Sequence, residues 1–368
     1  MISSSPPKRS WLRLLAVGLG VVLIAAILAA CGGSDSDSTS GGSETAASGG
    51  GEETGANSGG EGGEAVAGKK VSLVTCEPNV FCHAYNANLT NLLEAEGIEV
   101  TQLSDNFEPE LQNQHMDQAI AAKPDLITVF ASNADAIVPA LARAQAAGIP
   151  TMNVNARLGE EGEEYVTFEV VADNAALGRS AAENLVEGME KAGYKEGRII
   201  VITGTMGTLI VEDRMVEFEK YMAKFPQYEV TTAQDGNWDP IETGKKTLQL
   251  LTKYRNQGGV QGAYGMADYM AAAIIQSANQ LGIKSGSAPG DMVVTASNCT
   301  PTGIPLMEKG ELWGNATQSP IEESEAAATR IVEFLEGKEV PHNTTVKEER
   351  FTSDDFQKFV PLCADWPT

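Results

Sequence analysis

The sequence predicts an α/β protein made of two Rossmann-like lobes, each with a parallel sheet covered by helices. The first observation is that short, apolar, β-rich runs alternate with amphipathic runs of helical length, as in β-α-β units. The second is that this alternation ends after one series and then begins again. The third is the length of 368 residues, which exceeds one ordinary core and favours roughly two domains.

The clearest β-α-β unit covers residues 125–155. Its first run is short and apolar, as expected for a strand buried on both faces, and Ile137 and Leu141 then begin a helical spacing. Gly148 ends that helix, and Pro150 precedes the next strand, where its missing N–H is tolerated.

The other predicted elements repeat this unit on both sides. The predicted strands are residues 71–75, 99–103, 125–130, 151–155, 166–171, 198–203, 229–233, 262–266 and 292–296. The predicted helices are residues 81–96, 109–122, 136–147, 175–192, 211–225, 243–256 and 269–281. Ligands of parallel sheets collect at the carboxyl ends of the strands, so two facing lobes predict a binding cleft there.

Charge and composition exclude several functions. The chain has 50 acidic and 26 basic residues, which argues against nucleic-acid binding because phosphate contacts need clustered Lys and Arg. Its three histidines show neither a metal-ligand spacing nor a nucleophile elbow. We therefore expect no metal, no cofactor and no enzymatic activity, although the sequence leaves open a glycoside hydrolase with a carboxylate pair.

The N-terminus predicts export. Three basic residues precede an apolar run at 14–30, and small residues stand directly before Cys31. The run is either a plain membrane anchor or a cleaved signal of residues 1–30. The small residues before Cys31 resemble the lipobox of bacterial lipoproteins, and this resemblance implies cleavage there and lipidation of the Cys31 thiol.

Residues 31–68 are rich in Gly, Ser, Glu and Thr and contain almost nothing to bury. Such a segment cannot offset the entropy of ordering itself, so we expect a disordered tether. A lipid anchor and a tether would place the folded part on the extracytoplasmic face of the cell membrane.

Four short motifs of the folded part resemble the ribose-type periplasmic binding proteins, the type I solute-binding subunits of ABC importers. They are residues 78–81, 148–150, 172–174 with Gly178, and the late pair 300–303 and 316–318. The resemblance implies two α/β lobes joined by three crossing segments and closing on a ligand. It places lobe 1 at residues 69–172 plus 319–345, and lobe 2 at residues 173–318 plus 346–368.

The same resemblance implies the site residues. Sugars need amide or carboxylate side chains for their hydroxyls and aromatic faces for their C–H faces. By position, the implied ligand-binding residues are Asn79, Phe81, Asn155, Arg157, Glu212, Trp238, Asp268, Asn298 and Gln318.

Some positions depart from the family pattern. Glu212 stands where the family has a ligand-binding Arg, and Arg214 is on a different step of the helix. Asn155 and Asn298 stand where Asp is usual. These departures indicate a hydroxyl pattern different from the common sugars, or a larger or weakly basic ligand, with a sugar or polyol as the leading prediction.

Each site residue also has a structural alternative. Asn79 can cap a helix, Asn155 and Asn298 can satisfy loop backbone, and Trp238 and Phe81 can be core residues. Arg157, Glu212 and Arg214 can be solvated surface residues.

Four cysteines remain once Cys31 is set aside, an even number that fits an oxidising compartment. Of the three possible pairings we expect Cys76 with Cys82 and Cys299 with Cys363. Free buried thiols are the alternative, and zinc is disfavoured because no two-residue spacing is present.

The family resemblance implies an ABC permease as partner and a monomeric protein. A sensor that reports the closed, liganded state to a membrane receptor is the alternative, because both functions use the same closure.

Overall fold

A computed structural model of the chain describes residues 63–77, 79–364 and 366. The predicted signal sequence, the predicted lipidation site Cys31 and nearly all of the predicted tether lie outside these residues. Within them, none of the helices combines the length and the hydropathy needed to cross a membrane.

The described residues form an alternating series of strands and helices. The strands are β1 (Lys70–Thr75), β2 (Glu99–Ser104), β3 (Leu126–Val129), β4 (Thr151–Asn155), β5 (Phe168–Ala172), β6 (Gly197–Thr203), β7 (Tyr228–Val230), β8 (Gln234–Asp235), β9 (Gly262–Gly265), β10 (Val293–Ala296), β11 (Gly314–Ala316), β12 (Asn343–Val346) and β13 (Arg350–Thr352). The helices are α1 (Gly63–Val66), α2 (Val80–Ala95), α3 (Pro109–Ala122), α4 (Val138–Ala146), α5 (Glu160–Glu163), α6 (Asn174–Lys191), α7 (Leu209–Met222), α8 (Pro240–Tyr254), α9 (Asp268–Gln280), α10 (Ile304–Glu308), α11 (Pro320–Leu335) and α12 (Val360–Ala364), with a 3-10 helix at Phe356–Phe359.

Two separate sheets confirm the predicted fold class. The first is parallel throughout, with strand order β12-β5-β4-β3-β1-β2. The second has the order β13-β11-β10-β9-β6-β7, with β8 also paired to β6 and β13 antiparallel to β11. We call the first sheet with its helices lobe 1 and the second with its helices lobe 2.

The chain crosses between the lobes three times. It leaves lobe 1 after β5, returns between β11 and α11, and leaves again between β12 and β13. The last two crossings are tied together, because the Thr317 N–H donates to the Glu349 carbonyl at 2.8 Å and the Glu349 N–H donates to the Thr317 Oγ1 at 2.7 Å. Paired crossing segments of this kind form a hinge.

The folded part begins earlier than the predicted end of the tether at residue 68. Val66 is fully buried in the core of lobe 1, and the Gly68 N–H donates to the Gly97 carbonyl at 2.8 Å. The burial of Val66, a single large apolar side chain within the polar segment, therefore orders the residues around it. The average composition of the predicted tether does not reveal this effect.

The predicted strand at residues 229–233 is instead two short strands, β7 and β8. Ile199 pairs with Val230, whereas Ile202 pairs with Gln234, so the second strand carries one extra residue between the two pairings. An extra residue of this kind is a β-bulge, which bends a strand and re-aims the residues that follow it. The loop that follows β8 carries Trp238.

Both expected disulfides are present. Cys76 pairs with Cys82 across the loop between β1 and α2, with the two Cα atoms 5.6 Å apart. Cys299 pairs with Cys363, which attaches α12 to the loop after β10. All four of these cysteines are buried. Each disulfide therefore attaches a loop on the cleft side of a lobe to the core of the same lobe.

Candidate functional site

A cavity of about 560 Å³ lies between the lobes, at the carboxyl ends of the strands of both sheets. We call it the outer chamber. It is lined by Asn79, Val80, Asn106, Phe107, Glu108, Ala131, Ser132, Asn133, Ala134, Ala156 and Arg157 of lobe 1, and by Thr205, Thr208, Leu209, Ile210, Asn237, Trp238, Asp239, Pro240 and Tyr269 of lobe 2. This is where open α/β sheets place their ligands.

A much smaller space of about 30 Å³, the inner chamber, continues from the outer chamber toward the hinge. It is lined by Asn79, Phe81, Cys82, Phe107, Phe130, Asn155, Ile210, Arg214, Trp238, Tyr269, Asn298 and Gln318. The five residues that line both chambers mark the passage between them: Asn79, Phe107, Ile210, Trp238 and Tyr269.

Backbone strain is concentrated at this cavity. Among the described residues, seven non-glycine residues have positive φ, and one of them, Lys123, ends α3. The other six line a chamber: Asn106, Phe107, Asn155, Asn237, Trp238 and Asn298. Left-handed backbone costs energy in most side chains and persists where the surroundings enforce it, often at ligand sites.

Trp238 forms one wall of both chambers, as the sequence predicted. Its indole lies directly against the backbone of Gly204, where an added Cβ would stand 1.9 Å from the Trp238 Cε2. The guanidinium carbon of Arg214 is 5.5 Å from the centroid of the Trp238 ring, which is a cation–π distance. The glycine after β6 therefore serves to seat this aromatic wall.

Arg214 is the buried cation behind the inner chamber, and it is only 1% exposed. Its guanidinium donates to Asn174 Oδ1 at 2.9 Å, to the Met266 carbonyl at 2.8 Å and to Gln318 Oε1 at 2.7 Å. Gly178 makes this position possible, because a Cβ there would overlap the Arg214 carbonyl. The sequence analysis placed Arg214 on a different helical step from the Arg of the family, and the structure nevertheless brings Arg214 to the wall of the inner chamber.

Glu212, by contrast, lies outside both chambers. Its side chain is exposed on α7, and the residues of this helix that line the cavity are Leu209, Ile210 and Arg214. The spacing from Ile210 to Arg214 is one helical turn, which leaves Glu212 on the opposite side. The ligand-binding role predicted for Glu212 is therefore corrected.

Asp268 also lies outside the chambers, fully buried beneath them. Its carboxylate accepts from the Thr300 N–H and from the Thr300 Oγ1, both at 2.7 Å. Burial raises the pKa of Asp268 to about 7. A Cβ at Gly303 would stand 2.6 Å from the same carboxylate. Asp268 therefore supports the loop that carries Asn298 instead of facing a ligand.

Asn79 and Phe81 combine the structural and the binding interpretations. The Asn79 Oδ1 accepts from the Cys82 N–H at 3.0 Å and caps α2, while the residue lines both chambers. Phe81 is 5% exposed, belongs to the core of lobe 1 and lines the inner chamber.

Asn155 of lobe 1 and Asn298 of lobe 2 both line the inner chamber. The Asn155 Nδ2 donates to Glu323 Oε2 at 2.9 Å, so a fully buried carboxyl on α11 orients this amide. Burial raises the pKa of Glu323 to about 7, and it also raises the pKa of Glu348 in the third crossing. The Oε1 atoms of Glu323 and Glu348 are both buried, and neither has a hydrogen-bond partner among the described residues.

Arg157 lines the outer chamber and bridges the lobes. Its Nε and Nη2 donate to the two carboxylate oxygens of Asp213 on α7, each at 2.8 Å. Planar two-point pairing of this kind is the geometry that Arg and carboxylate prefer. The pair joins the two lobes beside the outer chamber, and Asp213 neutralises the Arg157 charge.

Two cavity loops were missed by the sequence prediction, residues 105–108 after β2 and 131–134 after β3. The fully buried Asp105 joins them, because it accepts from the Ser132 Oγ and from the Phe107 N–H, each at 2.9 Å, and also from Gln112 Nε2. Burial raises its pKa above the usual range. The signal was available, since an acidic residue directly after a strand lies at the cleft edge of a sheet.

Amide, hydroxyl and aromatic groups dominate the chambers, an arrangement that binds a polar molecule by hydrogen bonds and ring contacts. In the described ranges, His, Cys, Asp and Glu form no group of three that could hold a metal ion. The geometry of the two chambers supports the binding of a small polar molecule.

Two parallel-sheet lobes, a hinge of three crossings and a polar cleft between them define the class of two-lobed, type I binding proteins. Within that class, residues 71–339 match the sequence model of a protein family, the periplasmic binding protein domain. The chain therefore belongs to this family of binding proteins, and the prediction of a non-enzymatic binding protein is confirmed.

Individual relatives are distant. A xylitol-binding protein of Mycolicibacterium smegmatis is 22% identical over 287 residues, which is 78% of each chain. A galactofuranose binding protein of known structure superposes with a TM-score of 0.74 at 18% identity, over 80% of this chain and 97% of the other. A solute binding protein from Mycobacterium smegmatis, with bound glycerol, gives 0.73 at 19% identity, over 82% and 100%.

Proposed function

We propose that this protein captures a sugar or polyol between its two lobes and delivers it to the permease of an ABC importer. The observation that carries the proposal is the cleft itself, where amide side chains of both lobes surround an aromatic wall. The xylitol-binding relative and the galactofuranose-binding structure support a polyhydroxyl ligand. Amides bond hydroxyl groups in pairs, and an indole face suits the C–H face of a sugar.

Within this proposal, seven of the residues predicted from sequence carry the ligand contacts: Asn79, Phe81, Asn155, Arg157, Trp238, Asn298 and Gln318. Arg214 replaces Glu212 as the charged residue of α7. The ligand bonds to both lobes only when they are together, so binding shifts the population toward the closed form that a permease recognises. The protein acts as a monomer, with the lobe boundaries close to those expected from the sequence, except that lobe 1 begins before residue 69 and includes all of β12.

A thermal-shift screen of the purified protein against pentoses, hexoses, polyols and amino acids tests the ligand class. A ligand that binds only the folded state raises the melting temperature, by mass action. A shift with amino acids but with no sugar or polyol would contradict the proposed ligand.

Uptake of the radiolabelled ligand by a deletion strain tests the importer. We expect uptake to be lost on deletion and restored by the gene. Uptake that continues without the protein would point to the alternative function, a sensor for a membrane receptor.

We also propose that Cys31 carries a lipid and holds the protein at the outer face of the cell membrane through residues 32–62. The support is the apolar run followed by small residues and Cys31. A Cys31→Ser variant should appear in the soluble extracellular or periplasmic fraction, whereas an equal membrane fraction for both proteins would contradict lipidation.

A further inference from the structure

We infer that the ligand is a neutral molecule of two rings, a disaccharide or a glycoside of similar size, whose rings both lie in the outer chamber, one of them against Trp238 and Tyr269 at the passage to the inner chamber. The inference rests on the proposed function and narrows it from polyhydroxyl ligands in general to those with two rings.

The first step is that the cleft is already closed. The pair between Arg157 and Asp213 joins the lobes at two 2.8 Å hydrogen bonds beside the outer chamber. Deeper in the cleft, Phe107 of lobe 1 and Trp238 of lobe 2 both line the inner chamber, whose volume is about 30 Å³. The volume of the outer chamber is therefore that of a site whose lobes are already in contact and whose mouth is open to solvent.

The second step is size. At ~30 Å³ per water in the liquid, the outer chamber of about 560 Å³ has the space of about 19 waters. Covalently bonded atoms pack more closely than separate waters, so the chamber has room for at least that many non-hydrogen atoms, whereas a single sugar ring has about 10 to 12 and a disaccharide about 23. The inner chamber adds room for about one water by the same measure. One ring would leave much of the outer chamber filled only by water.

The third step is the distribution of chemistry along the cavity. Trp238 and Tyr269 stand at the passage between the chambers, where a ring can lie against them. Beyond the passage, the outer chamber has its own amides, Asn106 and Asn237, and its own apolar surface at Leu209. A second ring would therefore find both hydroxyl partners and a C–H contact.

The fourth step is charge. Arg157 is neutralised by Asp213, and the carboxylate of Asp239 accepts from the Ile241 and Glu242 N–H groups at the start of α8. Glu108 adds an exposed carboxylate at the chamber wall. This balance disfavours an anionic second group and suits a neutral sugar.

Isothermal titration of the full protein tests the inference with a set of neutral disaccharides and with the rings that compose them. We expect at least one disaccharide to bind roughly tenfold or more tightly than either of its rings. Ala156→Phe, which fills space in the outer chamber, should remove that gain, and Leu209→Trp should do so from the other lobe. Ala146→Phe, exposed on α4, is the control and should bind as the wild type does.

The results separate this inference from the proposed function. Rings that bind as tightly as every disaccharide, with no effect of either filling variant, would overturn the inference and leave the proposed function intact. Binding of no ring and no disaccharide would overturn both. The ligand-free melting temperature of each filling variant is compared with that of Ala146→Phe, because a match shows that the variant is folded. Two filling positions, one on each lobe, are used so that a folding defect at one of them does not decide the result.

Discussion

At the scale of single residues, Trp238 is the side chain on which most of the site depends. It lines both chambers, adopts positive φ, lies against the backbone of Gly204 and is within cation–π distance of the Arg214 guanidinium. An aromatic wall that is already held in place gives a ligand contact area with little loss of side-chain entropy on binding.

Trp238→Ala should weaken ligand binding by on the order of 2 kcal/mol, about thirtyfold in Kd, because the ring contact is lost. Tyr254→Ala is a matched control, since Tyr254 also has a cation–π contact, 4.3 Å from Arg198, but lies away from the chambers. Titration calorimetry of both variants checks the prediction. Equal affinity of the Trp238→Ala variant and the wild type would remove Trp238 from the site.

Gly204→Ala tests whether the position of the Trp238 indole matters for binding, without removing a side chain that contacts the ligand. The added Cβ would stand 1.9 Å from the Trp238 ring, so the ring must move and binding should weaken roughly as much as in Trp238→Ala. Gly159→Ala has open space around its new Cβ and should bind normally. A Gly204→Ala protein with wild-type affinity would show that the indole position does not matter.

At the scale of elements, helix α11 carries the buried Glu323, and the third crossing carries Glu348, whose Oε1 atom is also buried. Glu323 is 1% exposed, and desolvation raises its pKa to about 7 from the usual 4.5. The folded protein therefore keeps a proton that the unfolded chain has lost. The stability from this group is fully present below about pH 4.5 and is lost as the pH rises through about 7.

Glu323→Gln should remove this dependence, which is worth roughly 3 kcal/mol between the two limits. Urea unfolding of the wild type and the variant at acidic and mildly alkaline pH measures it, and the variant should lose less stability at high pH. Glu325→Gln, an exposed position on the same helix, is the control. Parallel pH curves for the wild type and Glu323→Gln would contradict a raised pKa.

The elements also show how far sequence reasoning reached. The order of strands and helices from β1 to β10 was largely predictable because buried parallel strands and amphipathic helices have distinct periods. The elements after β10, including the helix α11, were not predicted. The division of the strand near residue 230 was not, because a bulge depends on pairing with β6 and not on the residues alone.

The site was predictable in part for a similar reason. Residues at or shortly after strand ends could be placed at the cleft because the fold brings these ends to one edge of each sheet; Asn155 ends β4, and Trp238 follows β8 by three residues. Glu212 and Arg214 could not be distinguished, because their orientation depends on how closely α7 approaches α6 at Gly178. Asp268 was misjudged because the family resemblance places a ligand-binding residue at this position, whereas its burial and its two hydrogen bonds from Thr300 depend on the three-dimensional packing.

At the scale of the whole molecule, the lobes meet at the hinge, around the chambers and at the pair between Arg157 and Asp213. Among the described residues, this pair is the one ion pair that joins the two lobes. Both side chains are partly exposed, so the pair contributes little to folding, but it acts only in the closed form.

Asp213→Asn should therefore favour the open form and weaken ligand binding by about 0.5 to 1 kcal/mol, roughly two- to fivefold in Kd, with little change in melting temperature. Asp117→Asn removes a similar pair with Arg143 at 2.8 Å within lobe 1, and its affinity should be that of the wild type. Small-angle scattering of the ligand-free proteins should show a larger radius of gyration only for Asp213→Asn. No change in either radius or affinity would exclude a role of the pair in closure.

The central claim is that one unaltered polyhydroxyl molecule is held between the two lobes. A crystal structure of the complex with the tightest-binding sugar tests it most directly. We predict density for an intact ligand against Trp238, with hydrogen bonds to residues of both lobes and with its second ring in the outer chamber. Density on one lobe alone, outside the chambers, or density for a cleaved product would contradict the claim.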